Sequence, residues 1–220
     1  MDILLVRHGE SEGNAQERMQ GLSDFSLTAR GREQAQRLSA WLAAQGLEWE
    51  KLYASPLKRA WATAEVLAGD RGAAPHPEPD LREIHAGNLE GLTFDEITGR
   101  HPGYADRKIT ELGDFAEFGG EGYEAVQVRL RGLRARLEAA HRAAAERVVL
   151  VGHGGTNYQL LKLLVCEPVP RVNIVRMGNC SATLVRMRER RGSFMGELVW
   201  HVPVELMGGT SGEGVARLFR

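Results

Sequence analysis

Ile3-Leu4-Leu5-Val6-Arg7-His8-Gly9-Glu10 and Val148-Val149-Leu150-Val151-Gly152-His153-Gly154-Gly155 are built on one plan. In each, a run of branched aliphatic residues leads into a turn that carries a histidine followed by a glycine. An apolar run this short reads as a β-strand buried on both faces, as in a parallel sheet covered by helices on either side. Open sheets of that kind place their ligands outside the carboxyl ends of the strands. If the two strands are neighbours, His8 and His153 meet at one rim, each with a glycine beside it that permits close approach. A lone histidine is ordinarily a core or loop residue; two in matched strand-end contexts make a candidate site.

Outward from these strands the pattern alternates. A polar, glycine-bearing loop runs from Gly9 to about Leu27, and Thr28 then caps a helix with apolar positions Ala35, Leu38 and Leu42, stopped at Gly46. Lys51–Ala54 is a further strand, closed by Ser55-Pro56. Leu57, Ala60, Ala64 and Leu67 mark a second amphipathic helix ending near Gly69. Pro75, Pro77 and Pro79 hold the next stretch extended. Thr93-Phe94-Asp95-Glu96 has capping-box spacing and starts a short helix inside an irregular excursion, residues 81–122. Tyr123, Val126, Leu130, Leu133 and Leu137 give the clearest helix, and a last one follows from about Thr156 to Leu164. Ser181–Arg188 and Phe194–Val202 read as a hairpin across Glu189–Ser193, with the basic run Arg186, Arg188, Arg190 and Arg191 as a solvated turn. Strands alternating with helices predict an α/β fold with a mainly parallel sheet. The expectation is one domain over residues 1–207 and a flexible tail over residues 208–220.

Composition narrows the function. Among 220 residues, 28 Lys+Arg stand against 29 Asp+Glu, a net charge of -1, so the basic excess of a nucleic-acid binder is missing. At 43% hydrophobic and 26% charged residues, the chain has the make-up of an ordinary globular protein. Its 2 cysteines lack CxxC spacing and are too few for a disulfide framework, which predicts a reducing, cytoplasmic setting. No apolar run approaches the roughly 20 residues of a membrane helix, and the first residues lack the basic region and cleavage site of a signal peptide.

Imidazole is a nucleophile at neutral pH and needs no separate base to activate it. A histidine attacking phosphorus needs cations and N–H donors around the transferred group, because phosphoryl transfer depends mostly on positioning and charge stabilisation. Arg7 supplies a fork-shaped donor beside His8, Arg59 a second from the helix after Ser55-Pro56, and Asn14 a neutral one. The helix after His153 is expected to aim its free N–H groups at the same anion. A leaving oxygen also needs a proton, and Glu83 in Leu81-Arg82-Glu83-Ile84 is the candidate acid.

Arg7-His8-Gly9-Glu10 after a buried strand resembles the signature of the histidine phosphatase superfamily, the phosphoglycerate mutase-like proteins. The resemblance continues in order through Ser11–Asn14, Leu27-Thr28-Ala29-Arg30-Gly31, Ser55-Pro56-Leu57-Lys58-Arg59-Ala60 with Thr63-Ala64, Leu81–Ile84 with Gly87 and Glu90-Gly91, and Val151–Gly155. It implies a three-layer α/β/α sandwich with a mostly parallel six-stranded sheet. It implies His8 as the phosphorylated nucleophile, Glu83 as proton donor, and Arg7, Arg59 and His153 as the phosphate pocket, with Asn14 donating and Gly154 beside it. Gln20-Gly21 would line the substrate entrance. No metal or other cofactor is implied, and the substrate would be a small phosphorylated metabolite.

The family holds both mutases and phosphatases. Gly13 stands where mutases carry tryptophan, His85-Ala86-Gly87 replaces His-Tyr-Gly, and the stretch from Glu83 to His153 is shorter than a mutase's. A mutase must keep water from its phosphohistidine and a phosphatase must admit it, so these departures favour a histidine acid phosphatase-type phosphomonoesterase. The alternative is a phosphoglycerate mutase dependent on 2,3-bisphosphoglycerate. A non-catalytic anion-binding module predicts a missing catalytic residue, and none is missing. A metal hydrolase on His8, His85 and His153 lacks ligand spacing, and Gly152–Gly155 lacks the Gly-Lys-Ser/Thr ending of a P-loop. Arg107-Lys108 reads as an exposed loop pair, and a homodimer is left open.

Overall fold

In a computed structural model, which describes residues 1–69, 74–107, 113–141, 147–166, 175–190 and 193–207, the two histidine-bearing strands lie side by side. They are β1 (Asp2–Arg7) and β4 (Arg147–Gly152), parallel and in register from Asp2 opposite Arg147 to Arg7 opposite Gly152. β2 (Lys51–Ala54) pairs parallel with β4 and with the short β3 (His76–Pro77). On the other side, β5 (Ala182–Arg190) runs antiparallel to β1, and β6 (Ser193–Val202) antiparallel to β5. The six-stranded order is β3-β2-β4-β1-β5-β6.

Alternation along β1 divides the core. Leu4 and Val6 pack with Ala35, Leu38 and Leu42 of α2 (Ala29–Ala44) and with Ala60, Ala64 and Leu67 of α3 (Lys58–Ala68). Ile3 and Leu5 face the opposite layer, with Val126, Leu130 and Leu133 of α5 (Tyr123–His141) and Leu160 and Leu161 of α6 (Gly154–Val165). Both strand faces are therefore dry, which is why the strands read as unbroken apolar runs rather than alternating ones.

The local signals act as expected. Thr28 accepts the Gly31 N–H to cap α2, and Thr93 and Glu96 form both bonds of a capping box at α4 (Phe94–Arg100). Five details differ. Arg186 and Arg188 lie within β5 rather than in a solvated turn, and Arg186 donates to both Asp2 carboxylate oxygens at 3.0 and 3.2 Å. The loop after His8 contains a one-turn helix, α1 (Glu12–Ala15), with its own Ser11/Asn14 capping box. Pro79 opens a 3₁₀ turn, Pro79–Leu81, because proline is tolerated at a first helical position. The last helix begins at Gly154, two residues before the predicted start. The excursion is packed, with Leu81, Leu89 and Ile97 at most 1% exposed, but it is built on 3₁₀ turns that leave no regular periodicity. Lys108, Arg191 and the 208–220 tail lie outside the described residues, as does the side chain of Arg107.

Candidate active site

His8 and His153 are the first residues beyond two strands in register, so the sheet itself sets their separation. The His8 N–H donates to the Gly152 carbonyl at 3.0 Å, and the ring centroids stand 5.0 Å apart at 59°. Gly9 meets the first turn of α2 so closely that a Cβ on Gly9 would overlap the Gly31 carbonyl, and one on Gly31 the Glu10 carbonyl. The glycines of those two motifs thus exist for each other.

Backbone partners fix the His8 tautomer. Its Nδ1 lies 2.6 Å from the Gly9 carbonyl, which can only accept, so Nδ1 carries the hydrogen and Nε2 keeps its lone pair. In His153, Nδ1 accepts from Arg59 Nε at 3.1 Å, and Nε2 contacts Ser55 Oγ at 2.8 Å. Burial, and then the charges of Arg7 and Arg59, hold His8 well below the usual histidine range. Burial first, followed by Arg59, His8 and Arg7, does the same to His153. Both rings are neutral at pH 7, the form in which an imidazole attacks. Nearby Cys180 offers no competing thiolate, since burial outweighs Arg7 and pushes its thiol up to about 12.

The cations differ in how they are held. Arg7 donates from Nη1 to the Met177 carbonyl at 2.7 Å, while its buried Nε has no hydrogen-bond partner among the described residues. A guanidinium with an orphaned buried donor beside a cavity calls for an anion. Arg59, fully buried, donates to His153 and to the carbonyls of Ser23 (2.7 Å) and Gly21 (2.9 Å). That tethers the Gln20–Ser23 loop, and Glu90 holds the same loop through the Leu22 N–H and the Ser23 hydroxyl.

Glu83 corrects the expectation for the helix after His153. The Gly155 N–H donates to Glu83 Oε2 at 3.0 Å and the Thr156 N–H to Oε1 at 2.9 Å. The first turn of α6 therefore holds the candidate acid instead of offering those donors to a phosphate. The Ile84 N–H also donates to Oε1, leaving Oε2 with more acceptor capacity.

A cavity of about 320 Å³ gathers most of the predicted residues. Its inner end is lined by Arg7, His8, Asn14, Arg59, Glu83 and Gly155, with Gln20 and Gly21 on the wall. The remainder combines Met19, Ile84, Phe94, Ile97 and Phe115 with the charged pair Glu17 and Arg18. His153 and Gly154 are not among the lining residues. His153 stands behind His8 and Arg59, and Gly154 lies under the Arg7 guanidinium, 3.4 Å from an added Cβ to its Nε. His85 opens instead onto a separate cleft with Leu22, Arg82, Glu121 and Arg129, across Glu83. Gly13 packs against Gln20 and Phe25, with no room for a tryptophan. Among the described residues, no three His, Cys, Asp or Glu side chains cluster as a metal-binding set, and no helix is long and apolar enough to cross a membrane.

Sequence reasoning missed Asn179, on the turn entering β5, whose amide reaches the His8 carbonyl and Asn14. With neither a charge nor a motif, it gave no signal in the chain.

Residues 3–196 match the profile of the histidine phosphatase superfamily (branch 1), and the chain belongs to that superfamily. A relative from Arabidopsis thaliana named "Phosphoglycerate mutase-like protein 4" is 34% identical over 70% of this chain, a match spanning 66% of the plant protein. The Enterobacter sp. (strain 638) protein named "Probable phosphoglycerate mutase GpmB" is 30% identical, over 86% of each chain. Among solved structures, a mycobacterial glucosyl-3-phosphoglycerate phosphatase complexed with VO3 superposes with a TM-score of 0.78 at 31% identity, covering 90% of this chain and 96% of that one. YhfR of Bacillus stearothermophilus gives 0.76 at 32% identity, covering 90% and 95%.

Proposed function

We propose that this chain hydrolyses phosphate monoesters through a phosphohistidine on His8, without a metal, within one domain spanning residues 1–207. The observation that carries the reading is the His8 imidazole. It is neutral, its Nδ1–H is tied to the Gly9 carbonyl, and it opens with Arg7, Arg59, Asn14 and Glu83 onto one cavity. Nε2 attacks phosphorus, the N–P bond forms and the ester P–O bond breaks. Arg7 through its unpartnered Nε, Arg59 through N–H groups not spent on carbonyls, and Asn14 stabilise the equatorial oxygens. The leaving oxygen takes a proton from Glu83 Oε2. Water then attacks phosphorus and gives a proton to the same oxygen, the N–P bond breaks, and inorganic phosphate leaves with His8 restored.

His153 enters as a support. Its ring keeps the Arg59 Nε directed and fills the volume behind His8. The alcohol part of the ester sits against Met19, Ile84, Phe94, Ile97 and Phe115, so a small phosphorylated metabolite with an apolar portion fits best.

A 2,3-bisphosphoglycerate-dependent mutase would use the same inner site. Hydrolysis is favoured by Gly13, whose packing leaves no room for the mutase tryptophan, and by Ala86, buried where mutases carry tyrosine. The phosphatase name of the mycobacterial structural neighbour at 31% identity supports the same side. A panel of phosphate esters, assayed for phosphate release with and without 2,3-bisphosphoglycerate and in chelator, tests the reading. Release independent of both additives is expected; isomerisation of 3-phosphoglycerate that requires the bisphosphate would replace the phosphatase with the mutase.

A further inference from the structure

The turn entering β5 is bonded to the inner site at several points. The Met177 carbonyl accepts Arg7 Nη1, and the Cys180 N–H lies 3.0 Å from the Arg7 carbonyl and 3.2 Å from that of His8. Cys180 has φ +50°, a left-handed conformation that a residue with a side chain adopts only when its surroundings impose it. Asn179 precedes it, and Nδ2 of its amide stands 3.1 Å from the His8 carbonyl and 3.1 Å from Asn14 Oδ1.

Backbone groups fix which way both amides face. The His8 carbonyl can only accept, so the atom of Asn179 toward it is nitrogen, and its two N–H groups serve His8 and Asn14. The Ser11 N–H can only donate, and it lies 3.2 Å from Asn14 Oδ1, so that atom is oxygen. With Oδ1 held by Ser11 and Asn179, the Asn14 NH₂ is turned the other way, and Asn14 lines the cavity. Were the amide to flip, it would present a carbonyl oxygen to an anion.

We propose that Asn179 is a positioning residue that locks the Asn14 amide with its donor toward the phosphoryl group. This rests on the reading of the cavity as a phosphoryl site. Asn179 does not line that cavity, and the His8 carbonyl keeps the Cys180 N–H as a donor without it, so its effect on the phosphoryl group passes through Asn14.

The test is a double-mutant cycle in the full-length chain. Asn14→Ala removes the donor and Asn179→Ala removes the lock; kcat/KM is measured for one ester, and the dissociation constant of inorganic phosphate by calorimetry. Losing a hydrogen bond to a charged group predicts that N14A lowers kcat/KM by roughly tenfold to a hundredfold, with N179A losing a comparable share. The double variant should be no worse than N14A within about twofold, because the lock has nothing left to orient. In the wild type, the Asn14 side-chain amide signals, assigned by their disappearance in N14A, should shift on N179A while the backbone spectrum outside residues 8–15 and 175–182 is retained. If N179A fails to melt cooperatively, the uncharged near-isostere Asn179→Leu takes its place in the same cycle. Equal losses from the Asn179 variant with and without Asn14, or no loss at all, overturn the proposal. A wild type that neither binds phosphate nor releases it from any ester removes the phosphoryl reading itself, a separate result.

Discussion

Replacing Glu83 with glutamine separates the two proton transfers assigned to this residue. The substituted amide keeps one oxygen to accept the Ile84 and Thr156 N–H groups, 2.9 Å away in the wild type. Its NH₂ then faces the Gly155 N–H, which in the wild type donates to Oε2 at 3.0 Å. One charge-assisted bond is lost and two donors oppose each other, a cost of about 1.5–3 kcal/mol, or a fall in melting temperature of roughly 3–12 °C for a chain of this size. The fold survives, so the kinetics remain interpretable. In kcat/KM, which reports steps up to release of the alcohol, an alkyl phosphate needs the full proton and should lose about 10²- to 10⁴-fold. With p-nitrophenyl phosphate, whose leaving group departs as a stabilised phenolate, the loss should be less than about tenfold. In kcat, water attack on the phosphohistidine also loses its base, so E83Q should release a burst of p-nitrophenolate followed by a slow steady rate set by that step. A stopped-flow burst assay beside a leaving-group series measures both. Equal kcat/KM losses across the series would remove Glu83 as the acid.

Other substitutions probe the remaining parts. Arg59→Ala leaves the carbonyls of Gly21 and Ser23 and the His153 Nδ1 without their donor. It should raise KM, lower kcat and lower stability by about 3 kcal/mol or more; unchanged kinetics would take Arg59 out of the site. Acid should destabilise the fold earlier than its carboxylates require. His8 and His153 are held well below the unfolded value of 6.5, so the unfolded chain binds protons that the native one does not. Their stabilisation is complete above pH 6.5 and falls as pH drops below it, by up to about 1.4 kcal/mol per pH unit for each ring. Denaturant titrations from about pH 7.5 to 5 on wild type and His8→Asn check this, and the variant should show the shallower slope; equal slopes would contradict it. Phe94, 55% exposed on the cavity wall, should matter for the alcohol alone. Phe94→Ala should lower kcat/KM for a naphthyl ester several-fold and leave the inhibition constant of inorganic phosphate unchanged.

The parts of this molecule legible in the chain are those where one local rule has no competitor. Val148–Val151 is buried on both faces and reads as a strand in isolation, and Thr93 with Glu96 announces a helix start whatever surrounds it. The pairing of His8 with His153 followed from two similar strand ends, because parallel neighbours in register bring like positions together. What escaped depends on contacts between distant segments. The α6 N-terminus was expected to face a phosphate, and only the packing of the 81–84 segment against it shows that Glu83 occupies its donors. His153 was assigned to the phosphate pocket, but its ring nitrogens face Arg59 and Ser55, both of which arrive from elsewhere in the chain. The excursion gave no pattern because 3₁₀ turns this short have none, and Asn179 gave none because an amide has no sequence periodicity to reveal it.

The chemistry turns on whether phosphorus becomes bonded to nitrogen at the end of β1. Rapid quenching of the enzyme with a ³²P-labelled ester, followed by peptide mapping under alkaline conditions, measures this directly. The expected result is acid-labile, alkali-stable label on His8, at Nε2, formed faster than turnover, accumulating in E83Q and lost in His8→Ala together with activity. Label on any other residue, or full turnover by the His8→Ala enzyme, would contradict the account.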